Sequence, residues 1–313
     1  IGNYAFEESS FEYIIIPDSV MKIGIGAFMS NTSLKHISLS SSIDEINQNM
    51  FAHCTALSQI EIPNGVLTIG YGAFKGCDSL SNVTIPNKVV NIFSSAFSNC
   101  KNLTESSIPA SVKTIISYAF GGCKNLLTIK VEEENASYKS VDGNLYSKDG
   151  KKLIQYAIGK KETSFTVPNG VEVVGDSAFS GAKLLEIVLP EGLLTLESSA
   201  FSYSSLETIV LPSSLKTIKA WAFDHTNLTS IVIPKNVTTL ENQAFSYCQK
   251  LKYIKMSGQS LSSEFVLPKN GTDSVWVWSE KSFNPLNWTN NVVEKIPAES
   301  TSYYYHQKCA YEN

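Results

Sequence analysis

Residues 73–86 read AFKGCDSLSNVTIP and residues 96–109 read AFSNCKNLTESSIP, so the chain repeats Ala-Phe-x-x-Cys-x-x-Leu and then Ile-Pro. The phenylalanine of this frame recurs every 22 or 23 residues, apart from one interval of 59. Its ten positions are Phe6, Phe28, Phe51, Phe74, Phe97, Phe120, Phe179, Phe201, Phe223 and Phe245. A unit this short cannot bury its apolar face alone, so neighbouring units must stack and share one core. The sequence therefore predicts a solenoid.

One complete unit reads Leu-x-x-Ile-x-Ile-Pro-x-x-Val-x-x-Ile-Gly-x-x-Ala-Phe-x-x-Cys. Its first part has the alternation of a short strand, with Ile60 and Ile62 facing the core. Pro63 ends that strand because proline has no N–H to donate to a neighbouring strand. The Val-x-x-Ile spacing predicts a second extended or helical-turn segment, and the Ala-Phe pair places a bulky ring in the core beside a small neighbour.

Cysteine occupies its site in the frame only where the unit has one extra residue between phenylalanine and leucine. The five examples are Cys54, Cys77, Cys100, Cys123 and Cys248, and Asn31 fills the same site in the sixth long unit. A buried turn of this kind needs a small side chain that can bond to stacked backbone, so we predict reduced, buried, structural thiols. A disulfide between stacked coils and a zinc site are the alternatives, although the ladder lacks the histidine cluster expected beside zinc. Cys309 lies outside the ladder.

This frame resembles the bacterial surface leucine-rich repeats of the BspA type, over residues 1–131 and 168–257. The resemblance implies a right-handed, β-rich (α/β) leucine-rich repeat solenoid of about ten 22–23-residue units. It also implies export, display at a cell surface and adhesion-like roles. It implies no enzymatic activity and no cofactor. We therefore predict a solenoid domain over residues 1–257 and an aromatic-rich C-terminal capping segment over residues 258–313.

The interval of 59 residues predicts an insert near residues 133–167. Asp142-Gly143 and Asp149-Gly150 are tight-turn signals flanked by alternating apolar residues, so a β-hairpin is expected there. A calcium-binding loop is not favoured, because the acidic ligands at odd positions and the closing glutamate are missing.

After Met256 the repeat frame disappears and aromatic residues accumulate. They include Trp276, Trp278, Trp288, Tyr303, Tyr304 and Tyr305. Large rings could cover the apolar end of the last coil or could form a platform for a sugar or a peptide. The cap is the preferred interpretation, with residues 276–278 as its most exposed part.

Composition and motifs exclude several classes of function. The formal net charge of −4 argues against a nucleic-acid or anionic-membrane partner. No apolar run approaches the roughly 18 residues of a membrane span. The sequence lacks His-Glu-x-x-His, Gly-x-Ser-x-Gly and phosphate-loop motifs. We predict a monomer with no enzymatic activity, no cofactor and no metal site.

The start of the chain bears on where it works. It opens IGNYAFEES, in the middle of a unit, and no signal sequence is visible. A natural end would need a cap over the exposed core, so we expect a fragment or processed form of a longer protein. The predicted location is extracellular or at the cell surface.

Within each strand, the residue before the inward pair and the residue between its members face outward. After the insert these positions include a valine ladder, which either suits a pleated surface whatever the function or forms a shallow apolar groove for a partner. The candidate binding residues are Glu186, Val188, Thr208, Val210, Ser230, Val232, Tyr253 and Lys255. The predicted partner is a host or neighbouring-cell surface protein or glycan. A structural spacer that holds another domain away from the cell surface is the alternative.

Overall fold

The computed structural model describes residues 1–257 and, beyond them, the backbone of three strands at residues 275–279, 291–294 and 303–307. The chain separates into two compact units, residues 1–160 and 161–313. The described residues form short strands and turns and contain no helix. The described residues of each unit form a leucine-rich repeat β-solenoid, which confirms the fold class predicted from the repeat.

The first unit consists of parallel ladders followed by an antiparallel hairpin. The strands are β1 (Tyr13–Ile15), β2 (His36–Ser38), β3 (Glu45–Ile46), β4 (Thr68–Ile69), β5 (Asn91–Ile92), β6 (Glu105–Ile108), β7 (Thr114–Ile115), β8 (Thr128–Val131), β9 (Tyr138–Val141), β10 (Asn144–Ser147) and β11 (Lys152–Gln155). Strands β1–β2 and β6–β8 pair in parallel, as does the row β3–β4–β5–β7, whereas β9, β10 and β11 pair antiparallel.

The second unit repeats the parallel arrangement. Its strands are β12 (Ser164–Thr166), β13 (Val173–Val174), β14 (Glu186–Val188), β15 (Thr195–Leu196), β16 (Thr208–Val210), β17 (Thr217–Ile218), β18 (Ser230–Ile233), β19 (Thr239–Leu240), β20 (Tyr253–Met256), β21 (Val275–Ser279), β22 (Asn291–Glu294) and β23 (Tyr303–Gln307). Strands β12–β14–β16, β18–β20–β21 and β13–β15–β17–β19 pair in parallel. Strand β23 then pairs antiparallel with β21 and β22.

The inward residues of the repeat form the core, as the alternation predicts. Ile60 and Ile62 are buried, although this coil lies outside the assigned strands. Strands β14 and β16 show the exposed–buried–exposed pattern directly. The Val-x-x-Ile segment forms the second row of strands, each two residues long, so its extended alternative is the correct one.

The phenylalanines of the frame stack on one another inside each unit. From Phe6 to Phe120, successive ring centroids lie 5.3–5.6 Å apart with planes within 16° of parallel. From Phe179 to Phe245 the spacing is 5.2 Å. The backbone keeps this register, because in eight of the ten coils the phenylalanine N–H donates to a carbonyl of the next coil, as Phe74 does to Ala96 at 2.8 Å. The residue before the ring is a small alanine in nine of the ten coils, and Met50 takes that place before Phe51.

The cysteine ladder bonds one coil to the coil before it. The thiols of Cys54, Cys77, Cys100 and Cys123 each donate to a phenylalanine carbonyl of the preceding coil at 3.1 Å. The Asn31 amide likewise donates to the Phe6 carbonyl of the preceding coil, and it also donates to the Phe28 carbonyl of its own coil. All five cysteines of the frame are buried and unbridged. The predicted structural role is confirmed, whereas Cys309 lies outside the described residues.

The predicted hairpin insert is present. Strands β9 and β10 are joined by the two-residue turn Asp142-Gly143, whose φ angles of 49° and 74° are both left-handed. That is the backbone of the hairpin turn that Asp-Gly favours. Gly150, with φ of 79°, lies in the turn that leads to β11. Strand β12, at the end of the predicted insert, already pairs in parallel with β14.

Candidate functional site

The candidate residues that precede Tyr253 lie on the outward side of strands β14, β16 and β18. Register aligns Glu186 with Thr208 and Val188 with Val210, while Ile187 and Ile209 face the core. Strand β18 lies next to β16 and presents Ser230 and Val232 outward. The sequence therefore placed these six side chains on the correct face.

The valine row is open to solvent. Val188 is 48%, Val210 83% and Val232 50% exposed, so their side chains are among the most exposed aliphatic groups described in the second unit. A shallow depression of about 250 Å³ lies on this face, and its lining includes Glu186, Val188, Thr208 and Val210. The row therefore has an apolar centre and a carboxylate at one end.

Strand β20 continues both outward rows. Ser230 pairs with Tyr253, and Val232 pairs with Lys255, which is half-buried. The side chain of Tyr253 lies outside the described residues. The ladder then extends to β21, where Trp276 and Trp278 take the register positions of Tyr253 and Lys255.

The sequence frame stops at Met256, so this additional strand was missed. The 23-residue step from Tyr253 to Trp276 was the available signal. The side chains on which the cap and platform interpretations depend, including that of Trp288, lie outside the described residues. Both interpretations stay predictions.

Charges on the outward face are distributed differently in the two units. In the first unit Lys130 bonds to Glu105 at 2.8 Å, and Lys35 bonds to Glu12 at 2.8 Å. Glu186 instead has Ser164 and Thr208 as its register neighbours. No described cation pairs with Glu186, so its carboxylate is available to a ligand cation.

The ladder thiols are chemically quiet. Burial raises the pKa of Cys54 and Cys123 to about 12 and that of Cys248 to about 11. Burial raises the pKa values of Cys77 and Cys100 as well. A thiolate is the reactive form of cysteine, so these residues remain protonated and unreactive near neutral pH. Among the described residues, no group of three or more His, Cys, Asp or Glu side chains could hold a metal ion.

A second surface feature was missed by the sequence analysis. Tyr203, His225 and Tyr247 stack on one another at the turns, with centroid separations of 4.3 and 4.5 Å. Trp221, which is 47% exposed, lies on the same coil as His225 and donates to the Gln243 side chain. The missed signal was simple: in three successive units an aromatic residue follows the frame phenylalanine by two positions.

The repeat of this chain matches a known family. The profile of the BspA type leucine rich repeat region matches residues 1–140 and 156–264, in six copies. The chain belongs to the BspA type leucine-rich repeat family. This result confirms the resemblance seen in the Ala-Phe-x-x-Cys frame.

Several solved structures are similar to this chain. The pneumococcal vaccine antigen PcpA is 31% identical with a TM-score of 0.74, over 83% of this chain and 69% of the antigen. A leucine rich cell surface protein of Faecalibacterium prausnitzii is 27% identical with a TM-score of 0.68, over 87% of this chain and 83% of that protein. A leucine-rich repeat protein of Eubacterium ventriosum shares the fold at 22% identity and a TM-score of 0.57, over 82% of this chain and 78% of that protein. No curated protein matches the chain significantly.

Within the part of this BspA-type chain that the structure describes, no helix has the length and apolar character needed to cross a membrane.

Proposed function

We propose that the chain is a non-enzymatic recognition module of the cell surface, which binds a protein of a host or neighbouring cell through the outward face of β14, β16 and β18. The observation that carries this proposal is the open row of Val188, Val210 and Val232 beside Glu186. Solvent-exposed aliphatic side chains that are contiguous across strands mark an interaction surface.

The chemistry of this face suits a protein segment. Its centre is apolar, and a typical interface core is apolar with a polar rim. Thr208, Ser230 and Glu186 supply that rim. Glu186 favours a partner with a lysine or arginine beside its aliphatic contact, because opposite charges fix register and raise association rates.

The location is proposed from the family and its neighbours. The matching F. prausnitzii structure is described as a cell surface protein, and PcpA is described as a vaccine antigen. Both descriptions fit an exported chain whose repeats are presented to other cells.

Surface plasmon resonance against a panel of immobilised extracellular matrix and epithelial surface proteins tests the proposal. Val210→Thr keeps the branched shape but replaces one methyl group by a hydroxyl group. Losing one methyl contact and burying that hydroxyl should cost about 1–2 kcal/mol, or about 5- to 30-fold in affinity.

Leu67→Thr is the matched control, because Leu67 is a similarly exposed aliphatic residue, at 46%, beside the second row of strands in the first unit. A structural spacer instead of a binding module would be indicated if Val210→Thr and Leu67→Thr left every interaction unchanged.

A further inference from the structure

The aromatic row on the turns of the second unit has no role in the core. Tyr203, His225 and Tyr247 each follow a buried frame phenylalanine by two residues. Tyr203 is 63% and Tyr247 is 57% exposed, and both stack on the half-buried ring of His225. Exposed aromatic groups held in fixed positions suit binding, because little side-chain entropy is lost when a ligand contacts them.

One face of Tyr203 remains open. His225 covers the other face, with ring planes 13° from parallel and centroids 4.3 Å apart. On the open side the preceding coil carries Gly181 at the equivalent position, and its N–H bonds to the Ser202 carbonyl at 2.9 Å. Among the described residues, no ring other than that of His225 stacks on Tyr203.

The backbone does not require glycine at position 181. Gly181 has a left-handed φ of 75°, but Tyr203 and Tyr247 occupy the equivalent turns with φ of 57° and 52°. In the first unit the equivalent Asn99 and His53 also have left-handed φ. The consequence of glycine is therefore the absence of a side chain beside the Tyr203 ring.

We propose that the open face of Tyr203, above Gly181, binds a pyranose ring of a glycan. A pyranose has a face of C–H groups that packs on an aromatic face, and its hydroxyl groups need donors and acceptors around the edge. Those groups are present on the same turns, four residues after the frame phenylalanines. They are Lys183, on the coil of Gly181, and Ser205, on the coil of Tyr203, and both are at least partly exposed.

The width of the aromatic row favours a sugar over a protein. The row is one ring wide, because the residues directly before its rings, Ser202, Asp224 and Ser246, are buried. A stable protein interface covers roughly 800 Å² of each partner. A single sugar ring needs only one aromatic face and a few polar groups. This surface is separate from the valine row, so the inference does not depend on the proposed function.

Nuclear magnetic resonance of protein with ring-labelled tyrosine tests the proposal, with the methyl glycosides of glucose, galactose, N-acetylglucosamine and N-acetylgalactosamine as probes. At least one glycoside should shift the Tyr203 ring signals, with the roughly millimolar dissociation constant of a weak contact. Gly181→Tyr should fill the open face, extend the stack and weaken binding at least about tenfold without loss of thermal stability. Tyr203→Ser should abolish binding.

Ser30→Tyr is the matched control, because Ser30 occupies the equivalent left-handed turn of the first unit, with φ of 59°. It should leave glycoside binding unchanged. The proposal is overturned if no glycoside shifts the Tyr203 ring, or if Gly181→Tyr binds as well as the original chain. The proposal is also overturned if no glycoside binds the chain and the only binding that Gly181→Tyr abolishes is that of a protein partner.

Discussion

Replacement of Cys77 by alanine isolates the contribution of the thiol ladder to stability. Cys77 is fully buried and donates to the Phe51 carbonyl at 3.1 Å. That carbonyl also accepts from the Cys54 N–H at 3.1 Å, so it keeps one donor when the thiol is lost. The stability lost in Cys77→Ala therefore comes mainly from lost packing and not from a carbonyl left without a donor.

The magnitude follows from the atom removed. Loss of the buried sulfur costs about 1 kcal/mol of transfer free energy, and a residual cavity of about 20 Å³ adds about 0.5 kcal/mol. We expect Cys77→Ala to lower the free energy of unfolding by about 1–2 kcal/mol, with ligand binding unchanged. Urea unfolding followed by circular dichroism measures this difference.

Two further substitutions at position 77 test the shape of the niche. Asn31 occupies the equivalent site and bonds two carbonyls, but its Oδ1 is buried without a partner in the described structure. Asparagine at position 77 should therefore be tolerated at some cost, while leucine should overpack the niche and cost more. The reasoning is refuted if leucine is tolerated as well as alanine, or if alanine costs more than about 4 kcal/mol.

Three other predictions concern the same core and its surface. Burial raises the pKa of Cys123 to about 12 from an ordinary value of 9.0. The contribution of its protonated thiol to the free energy of unfolding is therefore complete below pH 9 and is lost as pH rises toward 12. The stability advantage of the wild-type chain over Cys123→Ala should shrink by about 1.4 kcal/mol per pH unit in that window; urea midpoints that fall in parallel for the two proteins would contradict this. Phe97→Ala should lower the free energy of unfolding by about 3–5 kcal/mol, because the Phe97 ring is buried between two others. Phe93→Ala is the control and should cost less than about 1 kcal/mol, because the Phe93 side chain is 42% exposed. Similar thermal midpoints for the two variants would disprove the phenylalanine ladder as a source of stability. Glu105→Gln should change stability by less than about 1 kcal/mol, since both partners of its ion pair with Lys130 are about half exposed, and a larger loss in urea would show that the pair is more than a surface contact.

The repeat made the core predictable. A side chain that recurs every 22 or 23 residues meets its own copies in adjacent coils, so the burial of Phe74 and Cys77 followed from periodicity alone. The Asp142-Gly143 turn was equally predictable, because the left-handed backbone of this turn depends on the residue types within the turn itself. The outward positions of Val188 and Val210 followed from strand alternation.

Features that depend on contacts between coils were harder to predict. The thiol donates to the coil before it, and this direction depends on the three-dimensional offset of stacked turns. The open face of Tyr203 depends on Gly181 lying beside it, a relation visible only once the coils are aligned. Strand β21 was missed because its pairing with β20 continues after the residues of the frame have changed.

Recognition through the outward face of β14, β16 and β18 can be measured as adhesion of protein-coated beads to epithelial cells. A variant with threonine at positions 188, 210 and 232 keeps the β-branched surface and removes its apolar character, and Leu67→Thr serves as the matched control. We expect the triple variant to lose most of its adhesion, while the control adheres as the wild-type chain does and both retain its thermal midpoint. Full adhesion by the correctly folded triple variant would show that the outward face is not the recognition surface.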